Sequence, residues 1–256
     1  VPVLSLDSHV DGPQALVAGV LRETSTAAGA VAGIGVRLTA PAGLLVAGDE
    51  VRIGLPRGGP AIRTRITVAG TGGLHSARAA GPVRVLRHAT RLSPGDAGGT
   101  LMQDELVWSP PLGAAGRISD PLLRRVAARL LAARRDAVAR RVAELGRAPV
   151  VVGAAIVRDG RLLVAQRSYP AELAGRWELP GGGVEPGETE PEALARECVE
   201  ELDTRIVAGD RIGTDLPIGR RVLRIRTATL APGSPEPRAR EHRALRWLYC
   251  RWFGGQ

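Results

Sequence analysis

Six residues of this chain stand at spacings that bear chemistry: Gly182, Glu188, Arg196, Glu197, Glu200 and Glu201, all within GGVEPGETEPEALARECVEELDT, which runs from Gly182 to Thr204. The run from Glu190 to Leu202 is rich in Ala, Leu, Glu and Arg, which predicts a helix. Residues three and four apart share a helix face, so Glu197, Glu200 and Glu201 are expected on one side. Carboxylates crowded in this way repel one another unless a cation sits among them. Hard oxygen ligands suit Mg²⁺ or Mn²⁺. The glycine-rich turn ahead of the helix lets backbone approach a ligand closely. Together these are the parts of a site that grips a diphosphate through metal ions.

The same residues resemble the Nudix box, G-x5-E-x7-R-E-U-x-E-E-x-G-U, where U is apolar. Gly182 is followed by five residues and then Glu188; seven more precede Arg196-Glu197, and Cys198 takes the first U position before Glu200 and Glu201. The last two positions depart: Asp203 stands for the glycine and Thr204 for an apolar residue. Asp203 falls where the helix should end, and Asp tolerates left-handed backbone better than most residues. The departure is therefore expected to weaken stability somewhat and to leave the ligands intact. The resemblance implies Glu197, Glu200 and Glu201 as catalytic metal ligands, with the Gly182 backbone among the ligands. It makes Glu188 and Arg196 a supporting pair that ties loop to helix.

Beyond the box, LLVAQRSYPAELAGRWELPGGGVEPGE and EPRAREHRALRW resemble the MutT and CTP pyrophosphohydrolase-like branch. In the second segment that branch supplies a further acidic metal ligand six residues before a tryptophan. Glu241 stands six before Trp247, so it is either that ligand or an exposed residue of an arginine-rich loop. Arg167 resembles a phosphate-contacting arginine, with a plain surface arginine as the other reading. Gly181 and Gly182 are expected against the substrate. The implied reaction is hydrolysis of a nucleoside triphosphate to monophosphate and pyrophosphate, dependent on Mg²⁺ (or Mn²⁺), with 8-oxo-dGTP and cytidine triphosphates as candidates. Glu197, Glu201 and Glu241 are all open as general base. Arg220 stands where ADP-ribose members carry a proline, the nearest being Pro217, and the tyrosine of dinucleoside polyphosphate members is missing. Two departures bear on the base. Gly183 replaces a common lysine, and the chain ends at Gln256, nine residues after Trp247, which is expected to relax base selectivity.

These side chains need a scaffold. Val150 to Val157 reads as an apolar strand, Asp159-Gly160 as a hairpin turn and Arg161 to Gln166 as the return strand. An α/β/α Nudix sandwich with a mixed sheet is expected over residues 149–256. Upstream, Ser119-Asp120-Pro121 signals the start of a long helix. Leu123, Val126, Leu130, Val138, Val142 and Leu145 form its apolar stripe and Gly146 its stop. Strands are expected at Ile34 to Leu38, Glu50 to Ile53, Ala61 to Val68, Pro82 to Thr90 and Thr100 to Val107. Antiparallel strands closed by one long helix, with the phrases GDEVRI, GGTLMQDELVW and SPPLGAAGRISDPLL, resemble the SRPBCC or START-like fold. Residues 1–146 are accordingly expected to be an α+β domain, and the resemblance implies an apolar small-molecule ligand there. His9, His75 and His88 lack metal-ligand spacing.

Composition narrows the partners. The 256 residues suit two small domains. All 35 basic residues are arginine, and the net charge is +9. These arginines are scattered rather than clustered with aromatics, so nucleic acid is not the expected partner, although the field would attract polyphosphates. Two cysteines, Cys198 and Cys250, fit a reducing cytoplasm without a structural disulfide. No apolar run has the length of a membrane span, and the N-terminus lacks a signal-peptide pattern. Against the enzyme stands one reading of another class: a ligand-binding or regulatory protein whose Nudix module turns over little.

Overall fold

The computed structural model describes residues 1–33, 35–54, 61–109 and 120–249. The expected strand start at Ile34, the cap at Ser119, most of SPPLGAAGRISDPLL and Cys250 lie outside the described residues. The chain divides into two compact units, Val1–Arg147 with Thr214–Pro217, and Ala148–Gly213 with Ile218–Gln256.

The first unit holds a seven-stranded antiparallel sheet: β1 (Val3–Val10), β2 (Arg37–Thr39), β3 (Glu50–Gly54), β4 (Ile62–Gly70), β5 (Gly73–Ala80), β6 (Leu86–Pro94) and β7 (Thr100–Trp108). Their order is β1-β7-β6-β5-β4-β3-β2. Register shifts between β4 and β5 add local twist and help the sheet curl. Among the described residues three α-helices accompany it: α1 (Gln14–Arg22), α2 (Thr24–Ala32) and α3 (Asp120–Leu145). The expectation of a single helix is therefore corrected, as is the omission of β1 and β5. The segment α1 buries Leu16 through Leu21 without interruption. In α2, TSTAAGAVA, small residues predominate, with four alanines favouring helix and Ala30 buried. Glu23, between the two helices, accepts from Arg141 of α3 at 2.9 Å through both carboxylate oxygens. Gly73 opens β5 with φ +134, where a Cβ would meet the Thr90 carbonyl.

The stripe of α3 is also shifted. Val138, Val142 and Leu145 are buried as expected, but Val126 is 42% exposed and the core side runs instead through Ala127 and Leu131. Arg134 continues that side, and a pattern search that counts arginine as polar steps over it. Its Nη1 donates to Thr90 Oγ1 at 2.9 Å and to Asp104 Oδ1 at 3.2 Å.

In the second unit, β8 (Val150–Arg158), β9 (Arg161–Gln166), β10 (Trp177–Glu178), β11 (Ile206–Ile218, of which Thr214–Pro217 group with the first unit) and β12 (Arg221–Leu230) form the path β10-β9-β8-β12-β11, and β13 (Ala244–Tyr249) pairs with β9. The sheet is mixed, because β12 and β8 run parallel while β13 and β9 run antiparallel. Asp159 and Gly160 both have positive φ, 51° and 68°, as a tight hairpin turn requires. Helix α4 (Glu190–Leu202) seats Ala193, Leu194, Cys198 and Leu202 in a core with Val152, Ile156 and Leu163. Cys198 is thus a packing residue, and burial pushes its thiol up to about 12. Among the described residues, no helix is long and apolar enough to cross a membrane.

Candidate active site

Helix α4 starts and stops by local chemistry. The Thr189 side chain accepts the Glu192 N–H while Glu192 accepts the Thr189 N–H, a reciprocal capping box. At the other end Asp203 takes the left-handed conformation, φ 56° and ψ 31°. Thr204, the second departure from the box, is buried, and its hydroxyl donates to the Pro235 carbonyl at 2.7 Å. An apolar position is thus replaced by a satisfied polar one.

The three carboxylates of the box do not share one environment. Glu197 and Glu201, one turn apart, have side chains 15% and 14% exposed, whereas Glu200 is 51% exposed. Arg196 gathers the box from outside. It donates to Glu188 through Nε at 2.8 Å and Nη2 at 3.1 Å, and to the Gly183 carbonyl through Nη2 at 2.9 Å. Its Nη1 reaches Glu197 and Glu200, each at 3.1 Å. One guanidinium therefore bonds the glycine turn, the loop carboxylate and the helix together. These contacts raise the Arg196 pKa further, Glu188 foremost.

The glycine turn meets the inner carboxylates directly. Glu201 Oε2 accepts the Gly181 N–H at 2.9 Å. The Gly182 carbonyl, expected among the metal ligands, accepts the Val152 N–H at 2.8 Å. What Gly182 offers the carboxylates is its missing side chain: a Cβ there would lie 2.2 Å from Glu197 Oε1. Any other residue would push Glu197 away.

A second group closes on Glu201 from β9, β10 and the segment before β13. Arg167 donates through Nε to both oxygens of Glu178, at 2.7 and 2.8 Å, so the expected phosphate arginine is held by a carboxylate. Backbone bonds from Arg240 N to the Glu201 carbonyl, 3.0 Å, and from Arg243 N to the Gln166 carbonyl, 2.8 Å, lace the segment down. That lacing places Glu241, which accepts from Tyr169 Oη at 3.1 Å. It also buries His242, 5% exposed, whose Nε2 stands 3.6 Å from Glu178 and 3.9 Å from Glu201. Glu178, Tyr169 and His242 are absent from the sequence reading. Only the adjacency of His242 to Glu241 in EPRAREHRALRW pointed to it.

Charge at this site is unbalanced. Burial raises Glu201 to about 7; the Gly181 N–H opposes this, and Glu197, Glu178 and Glu241 add to it. Glu197 is raised as well, by burial first, with Glu200 and Glu241 adding and Arg196 opposing. As they stand, no three His, Cys, Asp or Glu side chains among the described residues are gathered to hold a metal ion. Arg196 engages Glu197 and Glu200, and Gly181 engages Glu201. The donor chemistry nevertheless fits a hard divalent cation: all donors are carboxylates, and two of them are covered beside like charge.

Comparison with known proteins bears on the same residues. The family description "NUDIX domain" matches residues 147–253. The "Putative 8-oxo-dGTP diphosphatase 2" of Mycobacterium tuberculosis is 54% identical over 103 residues, 39% of this chain and 72% of that protein. The chain belongs to the Nudix family. The "CTP pyrophosphohydrolase" of Escherichia coli is 37% identical over 98 residues, 38% of this chain and 73% of that Nudix relative. The solution structure of the E. coli ORF135 protein is 36% identical, covers 39% of this chain and 72% of its own, and has a TM-score of 0.34. The second unit is therefore a Nudix hydrolase domain, and Nudix hydrolases generally use divalent metal ions.

Proposed function

We propose that this protein hydrolyses nucleoside triphosphates to nucleoside monophosphates and pyrophosphate with Mg²⁺ or Mn²⁺, in the cytoplasm, in the manner of nucleotide-pool enzymes acting on 8-oxo-dGTP or cytidine triphosphates. The observation that carries this reading is the pair Glu197 and Glu201, covered, raised in pKa and packed against Gly181 and Gly182, where a Cβ would meet the Val152 carbonyl and Glu197 itself. The names of the relatives from M. tuberculosis and E. coli support the substrate class.

In this reading Glu197, Glu200, Glu201 and Glu241 hold the cation. When bound, it neutralises phosphate charge and lowers the pKa of water. The residues supply position. Arg196 and Glu188 fix the loop on the helix, and Gly181 and Gly182 let the phosphates approach. Arg167, splinted by Glu178, faces them as a fixed positive charge. Water adds to phosphorus, the phosphoanhydride bond breaks, and the proton passes to one of Glu197, Glu201 and Glu241. Such a reaction depends on positioning and charge more than on covalent help.

Residues 1–146 and 149–256 are in this reading two domains, the first an SRPBCC-like domain for an apolar small molecule. A turnover screen of nucleoside triphosphates and ADP-ribose, reading pyrophosphate, tests the enzyme. Pyrophosphate release that needs the divalent ion and vanishes with chelator is expected. No turnover of any nucleotide would favour the regulatory reading instead.

A further inference from the structure

Aromatic side chains are only 3% of this chain, and among the described residues of the second unit three of four are engaged. Arginines stack on Trp247, Tyr249 and Trp177, with guanidinium-to-ring distances of 4.5, 4.4 and 4.7 Å. Tyr169 differs. It is 63% exposed, and among the described residues no arginine covers its ring. Only its hydroxyl is tied, to Glu241 Oε2.

The backbone beneath this ring is closed rather than loose. Arg167 N–H donates to the Arg176 carbonyl and Gly175 N–H to the Arg167 carbonyl, both at 2.9 Å, and Leu173 N–H to the Pro170 carbonyl at 2.9 Å. Arg167 is splinted by Glu178 as well. A flat apolar face is thus presented to solvent from a fixed loop, with its polar end anchored at the carboxylates. Apolar surface left uncovered forgoes burial, so its retention beside a polar site points to a ligand that covers it.

In the function proposed above, a cation at Glu197, Glu201 and Glu241 would hold the phosphates, and Tyr169, bonded to Glu241, stands beside that site. We propose that Tyr169 is the stacking surface for the nucleobase and so a specificity-determining residue, favouring purine over pyrimidine nucleoside triphosphates. The inference rests on the function proposed above. Every base has a π-face, so stacking alone tolerates all bases, and the preference follows stacking strength, which is greater for the larger purine ring.

The test is equilibrium binding by the full chain with Mg²⁺, measured calorimetrically. The probes are non-hydrolysable purine and pyrimidine nucleoside triphosphate analogues and inorganic triphosphate, which has no base. Tyr169→Ala should weaken the purine analogue by on the order of tenfold, the pyrimidine analogue less, and inorganic triphosphate by less than about twofold. Tyr169→Phe keeps the ring and loses the bond to Glu241; it should bind the purine analogue nearly as the parent does. An alanine variant that loses inorganic triphosphate as severely as nucleotide would overturn the inference, because Tyr169 would then act through Glu241. So would a phenylalanine variant as weak as the alanine one, or no change in either. A parent protein that hydrolyses nucleotides yet binds them no better than inorganic triphosphate overturns the stacking alone. One that neither binds nor hydrolyses nucleotides overturns the proposed function with it.

Discussion

Asp104 in the first unit and Glu201 in the second are both covered carboxylates, yet their environments drive them in opposite directions. Asp104 has a side chain 0% exposed. Burial alone would raise its pKa, but hydrogen bonds from His88 at 2.9 Å and Thr90 at 2.6 Å and the charge of Arg134 outweigh it and hold it low. Glu201 receives one backbone N–H and faces three other carboxylates, so burial wins. Depth does not distinguish the two sites; compensation does. The first cluster pairs Asp104 Oδ1 with His88, Thr90 and Arg134 and so fastens β6, β7 and α3 together, while the buried Oδ2 has no hydrogen-bond partner among the described residues. The second carries negative charge that the protein does not neutralise, and such sites are where function is expected.

The sharpest way to break this contrast is at Glu201. Glu201→Gln removes the charge at nearly constant shape and should lower nucleotide turnover by on the order of 10²–10⁴, the range for loss of a positioned catalytic group. The fold should survive, because a neutral amide relieves the crowding of carboxylates rather than creating it. Near-normal pyrophosphate release would remove Glu201 from the machinery.

At Asp104 the consequence should be reversed, with stability lost and chemistry kept. Asp104→Ala leaves the Arg134 charge covered and unpaired, which costs about 3–5 kcal/mol. Denaturant unfolding of the full chain should show that loss in the transition of the first unit. Replacing both partners, Asp104→Leu with Arg134→Met, should recover much of it, since an apolar pair of similar volume is often neutral relative to a buried ion pair. Equal destabilisation by the single and double variants would mean that the cluster is not held by charge.

The two sites also differ in how far the sequence reveals them. Glu188, Arg196, Glu197, Glu200 and Glu201 lie within one local stretch, so spacing alone exposes them, and α4 runs over the residues expected for it. The Asp159-Gly160 hairpin is legible for the same reason. Asp104, Thr90, His88 and Arg134 come from three separate elements, and no single-window pattern joins them. Arg134 even disguises the stripe of α3, because a buried arginine reads as a solvent-facing one. Helices α1 and α2 escaped because one carries an unbroken apolar run from Ala15 to Leu21 and the other is built of small residues. In the candidate active site, His242 and Glu178 likewise depend on long-range pairing of β9 with β10 and β13.

Acidification offers a smaller, continuous probe of the Asp104 cluster. Burial lowers the His88 pKa, opposed by its bond to Asp104, so folded His88 stays neutral where an unfolded histidine protonates, near pH 6.5. Between those values the unfolded state binds more protons, and stability falls as pH falls. Asp104, also lowered, adds a loss of the same sign below its unfolded value near 3.9. The first unit should therefore melt earlier at about pH 5.5 than at about pH 7.5. His88→Gln should flatten most of that upper window, with His75, also lowered by burial, keeping the rest, while leaving the acid one. A variant whose melting temperature still fell steeply between those two values would place the titration elsewhere.

The smallest effect expected lies at the end of α4, where the Nudix pattern has glycine and this chain has Asp203. Its φ of 56° is left-handed, a conformation that crowds the Cβ of an L-residue against its own backbone. Asp203→Gly removes that crowding but gains freedom in the unfolded chain, and the two effects oppose each other. The ion pair with Arg240, 3.9 Å and exposed on both sides, adds little to the balance. A net gain of about 0.5 kcal/mol is expected, read as a higher unfolding midpoint of the second unit. Asp203→Ala keeps the Cβ and loses the side-chain polar group that eases left-handed backbone, so it should lose about 1 kcal/mol. Turnover below the melting transition should follow neither change, because Glu197 and Glu201 are held by Arg196 and Gly181 rather than by the C-terminal cap. If the alanine variant were instead the more stable of the two, the left-handed cap would not be the strained position of this helix, and the departure from the family pattern would need another cause.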